Sequence, residues 1–194
     1  MAQRITIIQG HPDPSGNRFC HALADAYAAG AAAAGIAVRR IEVGALAFPV
    51  LRTQLDFETG APPPAIAEAQ EAIRWADHLV IIYPLWLGTM PALLKAFFEQ
   101  AFRPGFALGR GAELAWASPL KGRSARIVVT MGMPAFFYRW YFGAHGLKSL
   151  ERSILRFAGI KPFRETLIGM IGTFSEAKAK AWLAKLEALG RSGS

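Results

Sequence analysis

Asp77-His78-Leu79-Val80-Ile81-Ile82-Tyr83 is the stretch that decides the fold. After Asp77 and His78 it is continuously apolar instead of alternating, so the strand it forms has both faces covered, which marks a central strand of a parallel sheet. A helix over Ala65 to Trp75 precedes it. Pro91 to Phe102 follows it as a second helix, with Pro91 suited to a first turn and Leu94, Phe97, Phe98 and Ala101 forming an apolar stripe.

The same alternation extends to both ends of the chain. Ile5-Thr6-Ile7-Ile8 is a β-branched run stopped by Gly10 and Pro12, and Phe19 to Ala34 is an Ala-rich helix with Gly35 as its C-cap. Ile36 to Val43 reads as a second strand, and Gly44 to Pro64, ending in three prolines, as a long surface loop. Arg103 to Arg123 is a second long loop and Ala125 to Met131 a fourth strand. Pro134 to Gly146 is an aromatic-rich loop, followed by a helix near Leu147 to Ala158. A fifth strand lies near Phe163 to Ile171, and a last helix capped by Ser175 runs to about Leu189. Five strand-helix repeats imply a parallel sheet with helices on both faces, an α/β three-layer sandwich in the flavodoxin-like order 2-1-3-4-5.

The 194 residues are sized for a single domain spanning 1–194. With 53% hydrophobic and 19% charged residues, disorder is excluded. The net charge of +8, from 22 basic and 14 acidic residues, could attract a phosphorylated ligand, nucleic acid or anionic lipid. No nucleic-acid motif accompanies it, so nucleic acid is not an expected partner. Cys20 is the sole cysteine, which excludes an internal disulfide and suits a reducing compartment. The longest apolar stretch, His78 to Leu87, is about half of what a bilayer span needs, and the N-terminus lacks the h-region of a signal peptide. The expectation is a cytoplasmic protein with no membrane insertion.

In such a sheet ligands bind beyond the carboxyl ends of the strands, which singles out three loops. In Gly10 to Arg18, backbone N–H groups at a helix N-terminus favour a phosphate, Ser15 and Asn17 add donors, Gly16 permits close approach and Arg18 adds charge. It is neither a Walker loop nor a Gly-x-Gly-x-x-Gly fingerprint. Tyr83 to Pro91 could lie along a flat ring. The third loop carries His145 beside Phe136, Phe137, Tyr138, Trp140, Tyr141 and Phe142, more aromatics than one loop buries, so a ligand cleft or subunit interface is expected. His11, His21, His78 and Cys20 have no metal-site spacing, His21 and His78 read as structural, and no Gly-x-Ser-x-Gly elbow occurs.

At Gly10-His11-Pro12 with Ser15 to Phe19, at Tyr83-Pro84-Leu85-Trp86-Leu87-Gly88-Thr89-Met90-Pro91 running into Ala92-Leu93-Leu94-Lys95, and at Gly143-Ala144-His145-Gly146, the sequence resembles the flavodoxin-like NAD(P)H:quinone oxidoreductase family, of the DT-diaphorase and modulator of drug activity B types. The resemblance implies a bound flavin, FMN ahead of FAD, with NAD(P)H as co-substrate, a quinone-like acceptor and a ping-pong mechanism. It implies that His11, Ser15, Gly16, Asn17, Arg18 and Phe19 hold the phosphate, that Pro84, Leu85, Trp86 and Leu87 run beside the ring, and that Thr130, Met131, Gly132 and Met133 touch its other side. His145 corresponds to a family histidine that stabilises negative charge on the reduced ring. The accompanying tyrosine is Tyr138 or Tyr141. A homodimer with the site at its interface is also implied. Azo or nitro compounds as acceptors, or a regulatory role as a flavoprotein subunit of a potassium-efflux system, are the alternatives.

Overall fold

A computed structural model describes residues 3–109 and 119–194. Residues 110–118 of the loop expected over Arg103 to Arg123 lie outside the described residues. Five strands, β1 (Arg4–Gln9), β2 (Ala37–Glu42), β3 (His78–Pro84), β4 (Ser124–Thr130) and β5 (Phe163–Ile168), form one sheet in the order β2-β1-β3-β4-β5. Every pairing is parallel, with Ile5 opposite His78, His78 opposite Ser124 and Thr130 opposite both Pro84 and Ile168. This is the expected architecture. The helices are α1 (Phe19–Ala33), α2 (Gln54–Thr59), α3 (Pro64–Trp75), α4 (Ala92–Ala101), α5 (Ala135–Trp140), α6 (His145–Ser149) and α7 (Glu176–Ser192).

The sheet divides the core in two. Val80, Ile82, Ile5, Ile7 and Val128 pack under α1 and α7 with Leu23, Tyr27 and Leu186. Leu79, Ile81, Tyr83, Ile127 and Val129 pack on the other face with Ile66, Ile73, Leu94, Phe97 and Leu150. Successive residues of β3 therefore point into different cores, the period-two geometry of a strand. The last strand is shorter than expected, because Met170 takes a left-handed conformation (φ 62°) two residues after Ile168.

Two expected loops contain helices. Within 44–64, the Thr53 hydroxyl caps α2 by accepting from the Asp56 N–H at 3.0 Å, and the buried Arg103 guanidinium donates to the carbonyls of Asp56 at 2.6 Å and Gly60 at 2.8 Å. A one-and-a-half-turn helix held from 43 residues away leaves no periodic signal. The aromatic loop likewise contains α5, started by Pro134. The helix expected from Leu147 begins earlier, at His145, and continues as a π-helical turn over Leu150–Leu155.

Helices α1 and α7 touch through reciprocal glycines. A Cβ on Gly30 would stand 1.9 Å from the Glu187 carbonyl oxygen, and one on Gly190 would stand 2.0 Å from that of Tyr27. Backbone cannot yield as a side chain does. Gly30→Ala is expected to lower stability by roughly 1–3 kcal/mol through overpacking, read as a fall in Tm of about 2–4 °C per kcal/mol.

Candidate functional site

The carboxyl ends of β1, β3 and β4 carry three loops, and side-chain and backbone contacts bring them together. His11 in the first loop meets Trp86 in the second edge-on, with ring centroids 6.1 Å apart. The Tyr138 hydroxyl, from the third loop, donates to the Gly88 carbonyl at 3.3 Å and accepts from the Leu147 N–H at 3.2 Å. Gly146 sits so close to the second loop that a Cβ there would lie 2.4 Å from the Gly88 oxygen. The Leu85 N–H donates to the Thr130 carbonyl at 2.7 Å.

The first loop is organised by Asp13. Its carboxylate accepts from the Ser15 N–H at 2.9 Å and from Arg18 Nε at 2.7 Å, and these bonds hold its pKa well below the usual carboxylate range. The charge expected of Arg18 is thus already paired with Asp13, a residue without an expected role. The Ser15 hydroxyl donates to Asn17 Oδ1 at 2.9 Å. Gly16 has φ 77° and no atom within 4 Å of where its Cβ would be. Helix α1 starts at Phe19 without a side-chain cap and without an acidic residue in its first turn, which leaves its N-terminal N–H groups and dipole available to an anion. Phe19 itself turns away and packs edge-on against Phe174 at 5.8 Å, so only its backbone belongs to this corner.

His11 accepts from the Asp13 N–H at Nδ1, at 3.1 Å, which leaves the proton of the neutral ring on Nε2. Burial first, then the neighbouring His21, lowers its pKa. His21 is buried beside this corner as well. It is 7% exposed, its Nδ1 is buried without a partner, and its ring centroid is 5.6 Å from that of His11. With Gln9, whose Nε2 is also unpartnered, it lines a cavity of about 420 Å³ beside Gly16 and Arg40. The sequence held no cue for this, since Gln9 reads as the end of a strand. His78 does behave structurally: Nδ1 is hydrogen-bonded to the Ser124 hydroxyl at 2.7 Å, and burial pushes its pKa down to about 4.

In the second loop Trp86 and Thr89 exchange backbone hydrogen bonds of 2.9 and 3.0 Å around Leu87 (φ 46°) and Gly88 (φ 82°). Positive φ at both central residues is the type I′ turn, and it presents Leu87 fully exposed and Trp86 half exposed. Leu85 is partly buried and Pro84 is buried as the last residue of β3.

Thr130 and Met131 also lie at the end of a strand. Both are buried. The Thr130 hydroxyl is hydrogen-bonded to Cys20 Sγ at 3.2 Å, and its carbonyl accepts from Leu85. Their place at the strand end was legible, but the side chain of Thr130 faces α1. Gly132 and Met133, just beyond, are exposed and part-exposed. Burial pushes the Cys20 thiol up to about 11, so it is no nucleophile.

The aromatics split into two groups. Phe137 and Tyr141 stack at 4.8 Å, with Phe142 edge-on to both, while Phe136 and Trp140 are 69% and 84% exposed. Tyr138 is buried, so Tyr141 is the tyrosine that reaches the surface. His145 is exposed at the start of α6, after Gly143 and Ala144 in left-handed conformations, and its ring folds back over Gly143.

Residues 3–190 match a family model described as a flavodoxin-like fold. The chain is 28% identical over 149 residues to NAD(P)H dehydrogenase [quinone] 1 of Rattus norvegicus, an alignment covering 72% of this chain and 53% of the rat protein. It is 32% identical over 69 residues to an FMN-dependent NADH:quinone oxidoreductase of Ruegeria pomeroyi, covering 36% and 34% of the two chains. The alignments span about a third to a half of the curated relatives' length. The structure of an NAD(P)H:quinone oxidoreductase from Methanothermobacter marburgensis superposes with a TM-score of 0.80 at 22% identity, over 99% of this chain and 97% of that one.

Replacing Tyr138 by Phe removes the bridge between the turn and α6 and leaves the buried Leu147 N–H without its acceptor. The expected cost is about 1–3 kcal/mol, measured as a lower urea midpoint with an unchanged slope.

Proposed function

Because the chain belongs to the family with the flavodoxin-like fold, we propose that it is a flavin-dependent NAD(P)H:quinone oxidoreductase with FMN as its flavin. The observation that carries this reading is the convergence of an uncapped helix N-terminus beside Gly16 with an exposed apolar wall from Trp86 to Trp140. One end suits a phosphate and the other a flat ring. The names of the rat and Ruegeria pomeroyi relatives support the nicotinamide and FMN parts of the reading.

The N–H groups at the start of α1, the Asn17 Nδ2–H and His11 Nε2–H would hold the phosphate, with the Ser15 hydroxyl, which donates to Asn17 Oδ1, orienting the Asn17 amide. Trp86 and Leu87 bound the ring on one side, and Gly132 and Met133 on the other. When bound, the flavin supplies two-electron transfer between a nicotinamide and an acceptor. With a flavin bound, His145 would donate a hydrogen bond at the ring edge and favour negative charge there by electrostatic preorganisation. NAD(P)H and a quinone-like acceptor occupy the aromatic-walled cleft in turn, giving ping-pong kinetics. The exposed Leu87, Phe136, Trp140 and Tyr141 form apolar surface that a second copy would cover, so the reading includes a homodimer whose second copy closes the cleft, and the single cysteine suits the reducing cytoplasm.

The protein as purified is expected to be yellow, to release FMN on denaturation and to reduce menadione with NAD(P)H, giving parallel initial-rate lines. A colourless protein that binds neither FMN nor FAD refutes the reading. His145→Ala is expected to retain flavin and to slow its reduction by NAD(P)H roughly 100- to 1,000-fold, measured by stopped-flow absorbance.

A further inference from the structure

The net charge of +8 is not absorbed by the cleft, where Arg18 is already paired with Asp13. Much of the surplus gathers at the opposite end of the sheet, where the strands begin. Arg4 opens β1, Arg39 lies near the start of β2, Lys121 and Arg123 lead into β4, Lys161 leads into β5, and Arg74 stands at the end of α3. All but the part-exposed Arg123 are exposed. Contacts make them one surface. The Arg39 and Arg4 guanidiniums stand 4.4 and 6.0 Å from the centre of the Trp75 ring. Arg123 Nη2 donates to the Arg74 carbonyl at 2.5 Å, and the Lys161 N–H donates to the Arg123 carbonyl at 2.9 Å. Arg4 is ion-paired with Asp77 at 2.7 Å and Arg74 with Glu71. Arg39, Lys121, Arg123 and Lys161 have no ion pair among the described residues.

The helix dipole does not account for this crowding. Cations favour the last turn of a helix, but of these six only Arg74 occupies one, and the last turns of α1 and α4 hold no basic residue. The other five belong to strand starts and loops, where they are held together at a cost. Arg123 has Nε buried without a partner, and burial, with the charges of Arg4 and Arg74 acting against that of Asp77, lowers its pKa. An external anion relieves repulsion of this kind.

The aromatic side chains at this end are engaged by guanidinium groups: Trp75 by Arg39, Phe106 by Arg74 at 5.1 Å and Phe163 by Arg156 at 5.6 Å. They are poor platforms for stacking bases and poor anchors for a protein partner. Helices α1, α3 and α4 reach this end with their C-termini, so they offer no free N–H groups to cradle a single phosphate. Dense positive charge without a specific anchor suits an extended, fluid negative surface.

We propose that this end of the sheet docks the protein on an anionic lipid bilayer, with Arg4, Arg39, Arg74, Lys121, Arg123 and Lys161 against the lipid phosphates and no segment inserted. No helix among the described residues is long and apolar enough to cross a membrane. Each basic residue close to such a surface strengthens binding roughly fivefold, and salt screens the attraction. The cleft lies at the other ends of the strands, so a docked molecule keeps it open to water. The docking does not rest on the flavin reading.

The test is co-sedimentation of the protein as purified with vesicles of phosphatidylcholine alone and of phosphatidylcholine mixed with phosphatidylglycerol. The wild type is expected to pellet only with the mixed vesicles and to be released by high salt. Arg39→Gln/Lys121→Gln/Lys161→Gln removes three exposed cations from the face and is expected to bind roughly 100-fold more weakly. Lys148→Gln/Lys178→Gln/Lys180→Gln lowers the net charge equally, on α6 and the start of α7 at the cleft end, and is expected to bind within about twofold of the wild type. A wild type that does not pellet with mixed vesicles overturns the proposal, as does an equal loss in both triple variants. A DNA duplex of random sequence is titrated in parallel: affinity for DNA that the first variant loses, without affinity for vesicles, assigns the face to nucleic acid and also overturns it. If the first triple variant does not fold, Lys121→Gln/Lys161→Gln replaces it, with a loss of roughly 30-fold expected. Sedimentation needs neither turnover nor flavin, so a failed docking and a failed flavin assignment give different results.

Discussion

Every side chain of β3, from His78 to Pro84, is buried, and a strand with no wet face forces what surrounds it. Leu79, Val80, Ile81 and Ile82 each contribute about 1.5–3 kcal/mol on burial, which requires helices on both faces of the sheet. Parallel neighbours then require crossover connections, and these bring all the β-to-α loops to one end. The cleft therefore follows from the desolvation of a single strand, and its position is set before any residue in it is chosen.

What the loops do at that end depends on short-range chemistry. Asp13 ties Ser15 and Arg18 into one corner, and the type I′ turn at Leu87 and Gly88 pushes two large apolar side chains outward. Gly146 allows α6 to press against that turn, and the Tyr138 hydroxyl joins the two. The buried groups beneath the site are as specific as those that line it. Thr130 meets Cys20, and Pro84 ends its strand.

The strand order and the three loops were legible because they rest on periodicity, and periodicity is local. Side-chain direction at the strand ends was not. Thr130, Met131 and Pro84 stand at the expected positions but turn into the core, and Arg18 stands in the expected loop with its charge already neutralised. The helices α2 and α5 escaped notice because six residues hold fewer than two turns of pattern. One of them depends on Arg103, distant in the chain, whose guanidinium gathers the carbonyls of Asp56 and Gly60.

By itself the sequence determined the layers, the strand order and the end of the sheet where a ligand belongs, since the pattern of apolar residues dictates which faces must leave water. Only the tertiary structure decided which tyrosine is buried, that His21 and Gln9 share a cavity with His11, and that Arg139 pairs with Glu165. Those are pairings of side chains far apart in the chain, and no local pattern encodes them. They come from the close packing of elements whose formation, but not whose contacts, the pattern specifies.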